Sequence, residues 1–180
     1  IFKNPLVDSY TLGMSSGAAL GAVISIILGI NMNVFGMDST GIFAFLGAVS
    51  ALAFTYVMSG AAKKAATDSM LLAGVAVSFF ISSLITFLLM IHRDKIEHVF
   101  FWTMGSLALS TWEKVWVSLP VQAAGMLVLL FYSTELNIIA TGEEAAHYMG
   151  VEVRRVRRIL LFAAAVMVGC AVSTAGTIGF

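Results

Sequence analysis

Five stretches of the chain contain no Asp, Glu, Lys or Arg: Ser9 to Met37, Ser39 to Ala62, Ser69 to Ile91, Val115 to Thr134 and Ile159 to Phe180. Together they hold 118 of the 180 residues, and the shortest is 20 residues long. A hydrocarbon layer about 30 Å thick is crossed by about 20 apolar residues of helix, so each stretch can supply one crossing. Membrane strands would show alternating segments of about ten residues; the run Met126-Leu127-Val128-Leu129-Leu130 does not alternate. A bilayer offers no water to satisfy exposed backbone groups, which leaves the helix as the consistent solution. The pattern predicts an all-α fold, a polytopic transmembrane helix bundle forming one domain over 1–180. Its spans fall near 12–30, 41–61, 69–91, 115–133 and 159–176, with a polar segment at 134–158.

Composition agrees and the charges orient the chain. At 59% hydrophobic and 11% charged, with a mean hydropathy of +0.96, the sequence is neither a water-soluble globule nor a disordered chain. A net charge of zero gives no reason to expect nucleic acid, and one cysteine, Cys170, excludes an internal disulfide. Five spans put Lys3, Lys63, Lys64, Arg154, Arg155, Arg157 and Arg158 on one side, and Arg93, Lys95 and Lys114 on the other. The basic excess marks the first side, with 134–158, as cytoplasmic. Ile1-Phe2-Lys3 lacks the pattern of a signal peptide and the chain closes on an apolar run, so a fragment is expected.

The spans differ in their small residues. Gly13, Gly17, Gly21, Ser25 and Gly29 recur every fourth position in the first, a stripe on which a neighbouring backbone can approach closely. Ala44, Gly47, Ala48 and Ala51 make a weaker stripe in the second. In the third, Gly74, Ser78, Ser82 and Thr86, with Ser83 beside them, add hydroxyls. Two readings stand: these line a translocation path, or they bond back to their own helix carbonyls. No ionisable Asp, Glu, Lys or Arg lies inside a span, which argues against a proton relay.

Enzyme chemistry is not indicated, so no catalytic residue and no cofactor is expected. The chain contains no G-x-x-x-x-G-K-[ST] loop. His92, Asp94, Glu97 and His98 lack a helical His pair and read as a solvated turn rather than a metal site. Adjacent Glu143 and Glu144 diverge by about 100° on a helix, which does not suit paired acid–base work. The ten Met are apolar filler.

The polar segment carries a short helix. Thr141 can cap it, Glu143 and Glu144 suit its first turn, and Gly150 suits its stop. With Ala145 and Ala146 on its surface, such a helix can insert into a cleft on a partner. Here the string Glu144-Ala145-Ala146-x-x-x-Gly150 resembles the EAA-x-x-x-G coupling motif of ABC importer permeases. The wider run from Leu136-Asn137 through Gly142-Glu143 to Met149-Gly150-Val151 is similar to its form in the FecCD-type permeases of iron-chelate, haem and cobalamin uptake. Asn4-Pro5-Leu6 with Asp8, Leu12-Gly13 and Ser15-Ser16-Gly17-Ala18 resembles that family's NPLADP-x-x-LG-x-SSGA. Phe101-Trp102-x-Met104-Gly105-Ser106-Leu107 resembles its W-x-MGSL, and Gly176 to Phe180 its GPIGF. Ser9 and Thr177 stand where the family commonly has proline.

The resemblance implies about half of a ten-span permease, working as a homodimer or heterodimer of permease subunits in a bacterial or archaeal cytoplasmic membrane. It implies a separate ABC ATPase subunit that binds ATP and Mg, and a periplasmic or lipid-anchored substrate-binding protein. ATPase coupling would rest on Gly142, Glu143, Glu144, Ala145, Ala146, Gly150 and Val151, and the path on Gly74, Ser78, Ser82 and Thr86. Arg93, Lys95 and Lys114 would either dock the binding protein or form a solvated rim. A ferric siderophore is the first substrate expected, with haem and cobalamin as alternatives. A secondary transporter, a non-transporting scaffold and a manganese or zinc ABC permease are the competing readings.

Overall fold

The computed structural model describes residues 8, 11–34, 36–60, 67–107 and 111–177. Helices α1 (Met14–Leu28) and α2 (Ser39–Met58) are joined by a short hairpin, β1 (Asn33–Val34) against β2 (Met37–Asp38). Next come α3 (Thr67–Ile91), a 3-10 turn at Arg93–Lys95, α4 (Ile96–Met104) and α5 (Trp112–Phe131). The chain continues as α6 (Ser133–Thr141), α7 (Glu143–Tyr148) and α8 (Val153–Ala175). Helices α2, α3, α5 and α8 are long and apolar enough to cross a membrane, and α1 is apolar but shorter. The fold is the expected polytopic helix bundle. Lys3, Lys63, Lys64, the Asn4-Pro5-Leu6 string and the Ile178-Gly179-Phe180 end lie outside the described residues.

Helix α1 has 15 residues, about 22 Å at 1.5 Å per residue, less than the span expected over 12–30. Glycines with positive φ bound it, Gly13 at 84° and Gly29 at 62°. Before it, the Asp8 N–H donates to Thr11 Oγ1 at 2.9 Å and the Thr11 N–H to Asp8 Oδ1 at 2.6 Å. The Leu12 carbonyl accepts Thr55 Oγ1 at 3.2 Å. Non-helical backbone at membrane depth is tolerated where protein covers it, and Leu12 through Ala19 are all buried.

The glycine stripe meets α2 backbone to backbone. A Cβ on Gly17 would lie 2.4 Å from the Gly47 carbonyl oxygen, one on Gly21 2.0 Å from that of Phe43, and one on Gly47 2.1 Å from that of Gly17. Ser25 continues the buried face. Gly13 sits against Thr55 and Val77. Gly29 is a correction to the sequence reading: the helix has ended before it, and its α-carbon faces open space. The centre of the bundle is built of small side chains, Ala18, Ala22, Ala44, Ala48 and Ala165 among them.

Helix α5 is held chiefly by α8. Gln122 Nε2 donates to the Met167 carbonyl at 2.9 Å, and a Cβ on Gly125 would lie 2.3 Å from Met167 Cγ. The sequence reading passed over Gln122; its signal is a lone amide in an apolar span, a polar group that a neighbouring helix must satisfy.

Overpacking a tight contact costs about 1–3 kcal/mol or more. Gly21→Ala should therefore lower the thermal midpoint of the detergent-solubilised protein by several degrees. Gly29→Asn, which tolerates left-handed backbone and meets open space, should leave it within experimental error. Equal midpoints for both variants would contradict the backbone contact.

Candidate functional site

Between α5 and α8 the chain folds into a unit of its own. Tyr132, with φ −92° and ψ 15°, separates α5 from α6, and Gly142 separates α6 from α7. Thr141 Oγ1 donates to the Ile138 carbonyl at 2.7 Å, so Thr141 closes α6; the residue at the start of α7 is Gly142, correcting the expected Thr141 cap. Helix α7 stops where the sequence places Gly150. The Val151 N–H donates to the Ala146 carbonyl at 2.9 Å and the Gly150 N–H to that of His147 at 3.0 Å. This pair of bonds is a Schellman turn, which needs a left-handed residue. Gly150 has φ 81° and open space around its α-carbon, so glycine is required for the backbone angle and not for clearance.

Ile139, Ala146, Val156 and Leu160 form a buried cluster, with Leu136 and Val151 packed on it. Ala146 is 0% exposed and Ala145 is half-buried. The surface reading of these alanines is therefore corrected: Ala146 faces its own chain, where a methyl group lets α7 lie close against α6 and α8. The outward side of α7 presents Glu144, His147, Tyr148 (90% exposed) and Met149. Beyond the turn, α8 begins at Val153 rather than near 159, so the arginines form its first two turns. One unbroken helix runs from this unit into the bundle.

The hydroxyl stripe of α3 is split. Gly74 and Ser78 are buried, and a Cβ on Gly74 would lie 2.2 Å from the Thr11 carbonyl oxygen. Ser82 and Thr86 are exposed, with Thr86 Oγ1 donating to the Ser82 carbonyl at 2.9 Å and Ser83 Oγ to that of Phe79 at 3.0 Å. Four-residue steps drift by about 40° each, so the stripe turns through about 120° from Gly74 to Thr86. The four residues do not make one wall.

At the opposite end, a cavity of about 990 Å³ opens among α2, α4, α5 and α8, lined by Asn31, Asp38, Trp102, Ser106, Lys114 and Ser173. The Ser106 N–H donates to the Ala175 carbonyl at 2.9 Å, and Gly105 and Gly176 lie in contact, joining the ends of α4 and α8. Lys114 Nζ lies 3.0 Å from Asp38 Oδ2. Its charge is thus met within the chain, which corrects its reading as a free docking residue; Lys95 approaches Asp94 at 3.5 Å, and Arg93 is exposed. Among the described residues, no three His, Cys, Asp or Glu gather in a way that could hold a metal ion.

The family model described as the FecCD transport family matches residues 1–180. The chain is 40% identical over 179 residues to the cobalamin import system permease protein BtuC of Halobacterium salinarum, covering 99% of this chain and 47% of that protein. It is 33% identical over 184 residues to the hemin transport system permease protein HmuU of Yersinia pestis, covering 100% and 54%. A solved structure described as an inward-facing conformation of a metal-chelate type ABC transporter superposes with a TM-score of 0.86 at 28% identity, covering 99% of this chain and 56% of that one. The chain spans about half the length of these relatives.

Because Ala146 is buried inside its own unit, Ala146→Gln should unseat α7 and expose the bonds around Arg154 and Arg155 to trypsin at least about tenfold faster. Tyr148→Gln, on the open side, should leave cleavage unchanged. Equal protection in the two variants would contradict the burial.

Proposed function

Since the chain belongs to the FecCD transport family, we propose that it is the membrane-spanning part of a permease subunit in an ATP-driven metal-chelate importer. The observation that carries this reading is the unit at residues 133–158: a projecting helix locked from behind and continuous, through α8, with the bundle. A separate ATPase subunit binds ATP and Mg and docks on the outward side of α7. Gly142, Ala146, Gly150 and Val151 hold the helix in place, while Glu144, Tyr148 and Met149 meet the ATPase, with Ala145 at the margin and Glu143 opening the helix. Movement of the ATPase shifts α7, and α8 carries the displacement into the membrane.

A substrate-binding protein delivers the chelate at the opposite end, with Arg93 and Lys95 among its contacts, and a second permease subunit completes the passage. The setting is the cytoplasmic membrane of a bacterium or archaeon. Of the three chelates expected from the sequence, cobalamin and haem appear in the names of the relatives above, and the 40% identity weighs toward a corrinoid over a ferric siderophore. Vesicles holding the permease, ATPase and binding protein should accumulate one labelled chelate only with ATP; accumulation without ATP would overturn the reading.

Two variants test the docking side. Tyr148→Arg and Met149→Glu should cut ATP-driven uptake and recovery of the ATPase on a tagged permease at least about tenfold, the effect of losing roughly 1.4 kcal/mol of docking energy. The thermal midpoint should stay unchanged, and normal uptake in both variants would remove α7 from the docking role. For the path, cysteines at Ser82 and Thr86 should react with a water-soluble thiol reagent in at least one nucleotide state, and one at Ser78 in none. Silence at Ser82 and Thr86 would leave α3 outside the path.

A further inference from the structure

The first two turns of α8 carry four arginines that part company in the fold. Arg157 is turned inward and only 7% exposed, whereas Arg154, Arg155 and Arg158 are exposed. On a helix, Arg154, Arg158 and Phe162 follow at four-residue steps, and Arg155 adjoins them. Phe162 is 62% exposed although it lies inside the apolar span, so no other described helix covers this face. The apolar run begins at Ile159. Arg154 therefore stands about 7.5 Å beyond it and Arg158 directly at its edge. The headgroup layer on each side of a bilayer is about 5–8 Å deep.

We propose that Arg154, Arg155 and Arg158 form a binding site for the phosphate of anionic phospholipids, with Phe162 against the acyl chain below. Guanidinium forks pair with phosphate oxygens two at a time, and a basic cluster beside a span attracts anionic headgroups. The nearest acidic group, Glu152, lies 3.8 Å from Arg155 with both side chains about three-quarters exposed, and it does not neutralise three arginines. An acidic surface on a soluble partner could meet the arginines but could not follow the stripe down to Phe162. The three arginines lie on α8 and are distinct from the α7 residues assigned to the ATPase. The inference rests on the membrane placement above, not on transport.

The experiment places a bimane label at Phe162→Cys in a Cys170→Ser background of the permease. The protein is reconstituted in phosphatidylcholine vesicles containing brominated phosphatidylglycerol or brominated phosphatidylcholine. Phosphatidylglycerol should quench at a concentration about fivefold lower or better, and R154Q/R155Q/R158Q should bring the two lipids to parity with the thermal midpoint kept. Equal quenching by both lipids in the unsubstituted protein would overturn the site, as would a preference that survives the triple substitution. No quenching by either lipid would mean that protein covers the face, which also overturns it. Loss of the ATPase in the triple variant with the lipid preference unchanged would assign the arginines to the ATPase instead. The readout needs neither ATP nor chelate, so its failure leaves the transport reading standing, and failed uptake leaves the lipid site standing.

Discussion

The contact of α1 with α2 through Gly17, Gly21 and Gly47 is the constraint on which the bundle depends. Lipid tails are as apolar as the side chains they touch, so no hydrophobic gain separates a packed helix from a solvated one, and association must come from close van der Waals fit. The other principal contacts use the same device. Gly74 admits the chain at Thr11 to α3, Gly41 admits α8 at Ser173, and Gly125 admits Met167 to α5. Gly105 meets Gly176 where α4 joins α8. Because α1 is seated so closely, it can be short and remain central: its N-terminal end, from Leu12 to Ala19, is enclosed by neighbours.

Outside the bilayer the driving force changes. The unit at 133–158 packs Ile139, Val156 and Leu160 around Ala146, and burial from water holds it together. The Schellman turn at Gly150 fixes the angle between α7 and the start of α8. Under the proposed coupling, a push on α7 would be transmitted only if this base does not yield, and α8, unbroken from Val153 to Ala175, would be the lever.

Length and absence of charge, which a bilayer selects, marked the places of α2, α3 and α5 to within three residues, but α8 begins at Val153 instead of near 159 and α1 is shorter than the expected span. The α1 stripe was legible in the recurrence of small residues from Gly13 to Ser25; Gly29 escaped it because a left-handed glycine ends a helix as readily as it packs one. The α3 stripe has the same spacing but splits, because neighbouring segments cover it at Gly74 and Ser78 and leave Ser82 and Thr86 exposed, which spacing alone does not encode. Ala145 and Ala146 were placed by composition alone. A helix of six residues has too few positions for its pattern to show which side faces its own chain, and only the cluster around Ile139 decides it. Gln122 and the Asp38–Lys114 pair depend on partners 45 and 76 residues away, which no local pattern encodes.

The two ends of the bundle are joined by interactions of unequal strength. At the end that carries α7 a buried apolar cluster ties α6, α7 and α8, an attachment that salt does not weaken. At the far end, α2 and α5 are linked by Lys114 and an Asp38 whose side chain is 61% exposed. With Asp38 open to solvent and the Lys114 side chain 16% exposed, the pair is partly screened by salt and contributes on the order of 1 kcal/mol. Between α4 and α8 there are a few backbone and hydroxyl hydrogen bonds around Gly105 and Gly176, each with a net worth of about 1 kcal/mol. Under the proposed coupling, a displacement arriving along α8 would meet a firm joint where it enters and weaker links beside the far cavity, and the far end is where the packing would yield first.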